Sequence, residues 1–529
     1  MRSSLHLVGA FLAGSLLVTL LLLGLPQQGG RQGCPLLHGG LQPPAALQSQ
    51  LQPQPAAQQQ QQQQQQQALP ATQAEKVQQA PEHEAAEQTV VKELEKWRQP
   101  VQLPWPPVLS ELQLKRGLAY YGGGQRMERV AAALMAGQPI TAVTIGGSVA
   151  RGAGSTRPER AFPAMFFSFL NATFPHPQHT FLNKAIGGTT SGIFATCAEK
   201  LVPPETDLVV VEFTFNEPGD QPFIFPHRRG FEQLLRKLAR LPRAPAVIVL
   251  HHYAWYFSDG DGLKAGLFYR AAEMQLSTMA QYYDMPSPSL RNALYKAMQS
   301  NVPPFKVSKV HKAGSITPAG LALKPAGAEK ADYLFYDNIH PSDTGHQALA
   351  ELLAGVVQTA VKNVVETASR ETAAGGSSPL LDSLRAGGGS GSAAGAAPAK
   401  AVKLPPPMIP GNAAHATTLC AMQEEFQSVA TAKDGFEWRP ERPDAADFVS
   451  QKWGYRGDKA GSWVELELST EEAPGRRGVA TVILGYLRRQ AGSEAGSKFQ
   501  LAAVMVAHTP VVLSSYDRQA ADLGKLVDR

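Results

Sequence analysis

Thr141-Ala142-Val143-Thr144-Ile145-Gly146-Gly147-Ser148-Val149-Ala150-Arg151 is an apolar run that stops on two glycines and a serine. A strand over Ile140 to Ile145, a sharp glycine turn and a serine opening the next element place a hydroxyl at the carboxyl end of a strand. Working outward, Leu208 to Phe213 and Ala246 to Leu250 are continuous apolar runs of strand length. Arg126 to Ala136, Phe231 to Leu241, Leu267 to Tyr283 and Thr344 to Val361 carry helical spacing instead. Such alternation from about Val108 to Glu366 predicts a parallel sheet covered by helices on both faces. Ligands of these sheets bind beyond the carboxyl ends of the strands, which is where the chemically distinctive residues of this chain fall.

Four short segments carry that chemistry. Ser148 follows the first strand, and Asn183-Lys184-Ala185-Ile186-Gly187-Gly188-Thr189-Thr190-Ser191 offers the Gly188 N–H in a tight turn. Thr214-Phe215-Asn216-Glu217 ends the most apolar strand, and Asp337-Asn338-Ile339-His340-Pro341 precedes the last long helix. A serine nucleophile, donors for a developing oxyanion, and a histidine oriented by a carboxylate are the ingredients of acyl transfer. Taken singly, each segment also reads as an ordinary glycine turn, an asparagine turn or a satisfied histidine–carboxylate pair. A phosphate-cradling reading of the glycines fails, since no Lys-Ser/Thr follows and Gly152-Ala153-Gly154 lacks a third glycine. His251 and His252 close a strand and are candidates to line the pocket, whereas His346 is expected on the surface of the last helix. No HExxH or CxxC spacing is present, so neither a metal nor another cofactor is expected.

At 529 residues with 43% hydrophobic content, the chain is long enough for two folded units and their linkers. Its net charge of +5 is spread along the chain with no basic block interleaved with aromatics, which argues against nucleic-acid binding. The three cysteines, Cys34, Cys197 and Cys420, form no disulfide framework; Cys197 and Cys420 are read either as a cross-domain pair or as two buried thiols.

Residues 1–25 contain an apolar run from Leu7 to Leu25, near the ~20 residues needed to span a bilayer. It is read as an uncleaved signal-anchor, with a cleaved signal peptide as the alternative. Either places the remainder in the secretory lumen or outside: a type II single-pass protein of the Golgi or cell surface, or a secreted one. The Asn171-Ala172-Thr173 sequon, a glycosylation acceptor, agrees with that placement. Residues 26–83 are rich in Gln, Pro and Ala and read as a flexible stem. Within 84–371, Ala86, Val90, Leu94 and Trp97 share a helical face that is expected to dock on the α/β domain, or to pair stems. Residues 372–413 are a Gly/Ser/Ala/Pro linker, and 414–529 show period-two alternation, as in Trp463-Val464-Glu465-Leu466-Glu467-Leu468, that predicts a small β-sandwich. Trp438, Trp453 and Tyr455 are read as its core, with exposure for carbohydrate binding as the alternative. Trp463, sharing a strand face with Glu465 and Glu467, is the aromatic expected to be exposed for carbohydrate.

Together the four segments resemble the SGNH hydrolases, the GDSL-type esterase superfamily, over about Ile140 to Leu353. The order of Ser, Gly, Asn and Asp-x-x-His blocks carries the resemblance. It implies a three-layer, flavodoxin-like α/β/α sandwich with Ser148 as nucleophile, His340 as base and Asp337 as its orienter. The oxyanion hole would be formed by the Ser148 and Gly188 N–H groups and the Asn216 side chain. Two blocks depart from the superfamily pattern: Gly-Gly-Ser-Val replaces Gly-Asp-Ser-Leu, and Phe215-Asn216-Glu217 replaces Gly-Asn-Asp. Membrane-anchored two-domain members of green algae and plants look similar. The expected activity is serine esterase action on carboxylic esters, glycan O-acetyl esters among them, with an acylated small molecule or glycan as partner. Polysaccharide O-acetyl transfer and an inactive binding module are the competing readings. Arg151 and Arg157, near the serine in sequence, are read as solvated arginines, with steering of an acidic substrate as the alternative.

Overall fold

The computed structural model describes residues 4–5, 7–12, 15–20, 88, 91–92, 94–219, 221–257, 268, 272–378, 380–382, 404–413, 416–440, 452–457, 462–469, 478–488 and 499–510. The stem at 26–83, Cys34 and the Gly/Ser run at 387–392 lie outside the described residues. In the N-terminal run, Leu7–Leu12 and Ser15–Leu20 pair as an antiparallel hairpin, and Ser4–Leu5 pairs with the strand at Trp463–Glu467.

Four parallel strands build the first sheet: β1 (Thr141–Gly146), β2 (Thr180–Asn183), β3 (Leu208–Glu212) and β4 (Ala246–Val249), in the order β2-β1-β3-β4. Pro286 and Pro288 carbonyls accept hydrogen bonds from Val249 and His251, and His251 bridges Ser289 in parallel, so this segment takes the fifth position. That order is the doubly wound one, with its reversal between β1 and β3. Every residue of β3 and β4 is buried, and successive side chains enter different apolar clusters. Leu208 and Val210 pack with helices α1 (Gln125–Met135), α3 (Phe162–Thr173) and α8 (Asp343–Ala373). Val209 and Val211 pack with α4 (Ser191–Leu201), α5 (Pro226–Ala239) and α6 (Glu273–Tyr282). A strand with helices on both sides buries both pleat faces and is apolar along most of its length, as β3 is from Leu208 to Val211, which gives the expected α/β/α sandwich.

Helix α8 runs beyond the Thr344 to Val361 expected from its spacing, because Val364, Val365 and Ala368 continue the buried stripe to its end. Among the described residues it is the one helix long and apolar enough to cross a membrane, and 72% of its apolar window is buried in the fold. It is the core helix of the domain. Leu94 and Trp97 dock on the same core; Leu94 is buried and Trp97 stacks on Phe174 at 5.0 Å.

The C-terminal strands are antiparallel: β5 (Ala416–Met422), β6 (Ala430–Asp434), β7 (Phe436–Pro440), β8 (Trp453–Gly457), β9 (Trp463–Glu467), β10 (Gly478–Arg488) and β11 (Phe499–Pro510). Strand β11 pairs with β10 along one edge and shares the other between β5 and β8, while β6 pairs with β9 in a second sheet. Phe426, Tyr455, Val464 and Leu466 fill the space between them. Val464 and Leu466 point inward while Trp463 is only half-buried, as the parity of β9 requires. Among the described residues, several contacts join this unit to the α/β domain. A Cys197–Cys420 disulfide ties α4 to β5, with a Cα separation of 5.6 Å. Lys237 Nζ donates to Thr417 Oγ1 at 3.1 Å, and Lys200 Nζ donates to the Cys420 carbonyl at 2.8 Å. Before β5, Asn412 donates to the Arg229 carbonyl at 3.0 Å, and Arg236 donates to that of Pro405 at 2.8 Å.

Candidate active site

The serine turn is glycine for reasons of space. A side-chain carbon on Gly146 would stand 2.4 Å from the Glu212 carbonyl oxygen, and one on Gly147 would stand 1.9 Å from Asn216 Oδ1. The paired glycines therefore let β3 and its terminal asparagine close against the end of β1. Ser148 opens the short helix α2 (Ser148–Arg151), and a carbon on Gly187 would lie 3.7 Å from Ser148 Cβ, so the glycine block borders the Ser148 side chain. Gly188 adopts φ +70°, a left-handed turn, and Asn183 Nδ2 ties this block back to the Ala150 carbonyl at 2.9 Å.

The Asp-x-x-His block arrives from 192 positions away. His340 Nε2 lies 2.8 Å from Ser148 Oγ, and His340 Nδ1 lies 2.9 Å from Asp337 Oδ2. With Asp337 accepting from Nδ1–H, Nε2 carries the lone pair that faces the hydroxyl. Asp337 Oδ1 also accepts from the Ile339 and His340 N–H groups at 2.9 and 2.8 Å. Burial pushes the Asp337 carboxyl up, but the His340 ring and these two N–H groups outweigh it and hold it below its ordinary value.

Other parts of the fold lock this loop in place. Gly154, at φ +99°, has no room for a side chain, since a carbon there would stand 2.2 Å from the Pro341 carbonyl oxygen. Asp343 accepts from the Thr156 N–H at 2.8 Å and its hydroxyl at 2.6 Å, so the serine and histidine blocks are clamped together. His252 Nε2 lies 2.9 Å from the Ile339 carbonyl, inside the block itself. Burial pushes the His252 pKa down to about 3, so the ring is neutral and its Nε2–H donates.

His252 does border the pocket, while His251 is a core residue satisfied by Thr214 and Ser287 at 2.8 Å each. His346 corrects the expectation of a surface histidine. It is fully buried, with Nδ1 accepting from the Phe162 N–H at 3.3 Å and Nε2 3.2 Å from the Ala153 carbonyl. It lies on the side of α8 that covers the serine loop, which helix periodicity alone could not distinguish from the outer side.

Two buried acids went unassigned in the sequence. Glu217 accepts from the Ser191 N–H at 2.8 Å and its hydroxyl at 2.7 Å, and faces Arg228 at 3.5 Å. It thereby fixes the start of α4, just past Gly188, to the residue next to Asn216. Glu212 ends β3 behind the serine turn. The Ala150 and Thr214 N–H groups approach its carboxyl without closing a well-formed hydrogen bond, and burial pushes its pKa up from 4.5 to about 8. Between those values the folded protein holds a proton that the unfolded chain releases, so stability falls as pH rises. Glu212→Gln is expected to remove about 3 kcal/mol of destabilisation that accumulates between about pH 5 and pH 8. Thermal unfolding at those two pH values checks this. A variant-minus-parent difference that is equal at both would contradict it.

A pocket of about 310 Å³ adjoins Asn216, lined by Phe215, His252, Tyr253 and Phe257, with Phe215 and Phe257 in edge contact at 5.0 Å. Residues 258–267, which follow Phe257, lie outside the described residues. A larger groove of about 1000 Å³ between Trp105 and Val361 contains none of the site residues. Asn171, the sequon asparagine, is exposed near the end of α3.

Residues 144–348 match the family model of the GDSL-like lipase/acylhydrolase family. No curated protein matches the chain. Among solved structures, a two-domain esterase (CEX) active on acetylated mannans is similar at 18% identity and a TM-score of 0.44, covering 77% of this chain and 95% of that one. A possible lipase from Chitinophaga pinensis shares 18% identity at a TM-score of 0.28 over 42% of this chain and 98% of its own. The lipase/acylhydrolase from Enterococcus faecalis shares 16% identity at a TM-score of 0.27, covering 43% and 96%. The serine, glycine, asparagine and histidine blocks, which converge at one end of the parallel sheet, all fall within the segment 144–348 that matches this family model.

Proposed function

We propose that this protein is a serine esterase that cleaves carboxylic esters through an acyl-enzyme on Ser148. The observation that carries the reading is His340, whose two ring nitrogens lie 2.8 Å from Ser148 Oγ and 2.9 Å from Asp337 Oδ2. His340 takes the hydroxyl proton as Ser148 Oγ bonds to the ester carbon, and Asp337 holds the imidazole and offsets the charge it gains. The oxyanion is received by the Ser148 and Gly188 N–H groups and the Asn216 amide. Collapse of the tetrahedral adduct breaks the ester C–O bond, and His340 returns its proton to the departing alkoxide. Water then repeats the sequence on the acyl-enzyme and frees the carboxylic acid and Ser148. Phe215 and Phe257 narrow the pocket beside Asn216 to about 310 Å³, which favours short acyl groups such as acetyl. Glycan O-acetyl esters are the substrate class we infer, with the half-buried Trp463 of the β-sandwich as a surface for sugar. The Cys197–Cys420 disulfide and the exposed Asn171 sequon support an oxidising, secretory location.

The test is release of 4-nitrophenol from 4-nitrophenyl acetate by the full chain, with and without a sugar acceptor, beside covalent labelling by a fluorophosphonate. Acceptor-independent hydrolysis and label on Ser148 are expected. Turnover seen only with the acceptor would make the protein a transferase, and neither turnover nor label would make it a binding module.

A further inference from the structure

Resting on the esterase reading of this site, we infer that His252 is the positioning residue for His340 and, through the same ring, a determinant of acyl length. The peptide unit between Ile339 and His340 is held at both ends. Its N–H donates to Asp337 Oδ1 at 2.8 Å, and its carbonyl oxygen lies 2.9 Å from His252 Nε2. A carbonyl can only accept, so the one proton of the neutral His252 ring sits on Nε2 and is donated to it. The next carbonyl, that of His340, accepts from the Tyr336 N–H at 2.8 Å. Pro341 follows and has no N–H to place. The backbone groups flanking His340 are thus all bonded, and the direction of its Cα–Cβ bond is fixed before the imidazole meets Ser148.

Of these partners, Asp337 and Tyr336 belong to the histidine loop itself. His252 comes instead from just beyond the carboxyl end of β4, 87 positions away, so it sets where the loop stands over the sheet. The ring is committed to that bond. It is buried, and among the described residues its Nδ1 has no hydrogen-bond partner. A buried nitrogen without a partner is a cost that an apolar side chain would avoid, so histidine stands here for the bond that Nε2 makes. The ring also meets Phe335 in an edge contact at 6.1 Å, and Phe335 bridges Pro341 across the same turn. His252 therefore touches both arms of the turn that carries Asp337 and His340.

The same residue lines the pocket of about 310 Å³ beside Asn216, together with Phe215 and Phe257. An acyl group too long for that space presses on the ring that holds the base. Length is then discriminated in the chemical step, through a displaced His340, as well as in binding. A displacement of ~1 Å at a reacting group costs about 10²-fold in rate.

The experiment uses His252→Gln and His252→Met, whose side chains are of nearly equal length and of which only the glutamine can donate to Ile339. The full chain and these variants, with His252→Ala, are assayed on 4-nitrophenyl acetate, butyrate and hexanoate, beside fluorophosphonate labelling of Ser148 and unfolding temperature. His252→Met is expected to lower kcat on the acetate about 10²-fold with KM little changed, and His252→Gln to keep kcat within severalfold of the parent. His252→Ala is expected to lose kcat on the acetate as the Met variant does, while its butyrate-to-acetate ratio of kcat/KM rises about tenfold, since it alone empties space in the pocket. Equal kcat in the Met and Gln variants would overturn the positioning role, and an unchanged ratio in the Ala variant would overturn the role in acyl length. Should the Met variant fail to fold, the Ala variant supplies the non-donating member of the comparison. A parent that turns over no ester and takes no label would overturn the esterase reading and this inference together.

Discussion

Ser148→Ala is expected to lower kcat on 4-nitrophenyl acetate by on the order of 10⁶, and adding His340→Ala is expected to cost almost nothing more. The reason lies in the 2.8 Å contact between Ser148 Oγ and His340 Nε2. An alcohol is a weak nucleophile at neutral pH and attacks only as its proton is taken, so the hydroxyl and the imidazole form one device rather than two additive parts. Either loss leaves the other without a function, and the double variant falls to the same floor, set by ester binding and the oxyanion donors. Four kinetic measurements close the cycle: parent, two single variants and the double. Additive losses would mean that the two residues act independently, and the contact between them would then be structural.

How much of this was written in the sequence depends on the range over which each residue acts. The strand–glycine–serine turn was legible because backbone sterics are local: no side chain fits at Gly146 or Gly147, and both positions are glycine. Strand β3 was legible because both of its faces are buried, so its apolar run is unbroken from Leu208 to Val211. The Asp337–His340 pair was legible because its three-residue spacing lets one carboxylate accept from two N–H groups and the ring of the same turn. What escaped depends on partners far away in the chain. The spacing of α8 marks a buried stripe but not its neighbour, so His346 was assigned to the wrong side of the helix. Glu217 carried no local signal, because its partners Ser191 and Arg228 come from two different helices. Cys197 and Cys420 left two readings open, and the fold selects the disulfide by bringing α4 and β5 together.

Asp337 decides whether the site works as a triad or a pair. Asp337→Asn is expected to lower kcat by about 10⁴. The asparagine is close to isosteric, and its carbonyl oxygen can still accept from the Ile339 and His340 N–H groups, so the turn should survive. Its amide, however, presents N–H to His340 Nδ1 in place of a carboxylate. That favours the tautomer with the proton on Nε2, which would donate to Ser148 Oγ instead of accepting its proton. Asp337→Ala removes the wrong donor along with the right acceptor, so it should retain more activity than the asparagine variant if tautomer control is the main contribution. The Asp337 carboxyl is held below its ordinary value by the His340 ring and two N–H groups despite its burial, so it stays ionised throughout the pH range in which His340 must act as a base. Steady-state kinetics of both variants, with unfolding temperatures to confirm an intact turn, make the comparison. A loss of less than about tenfold in either would show that the backbone alone orients His340, and the chemistry would then rest on Ser148 and His340 as a dyad.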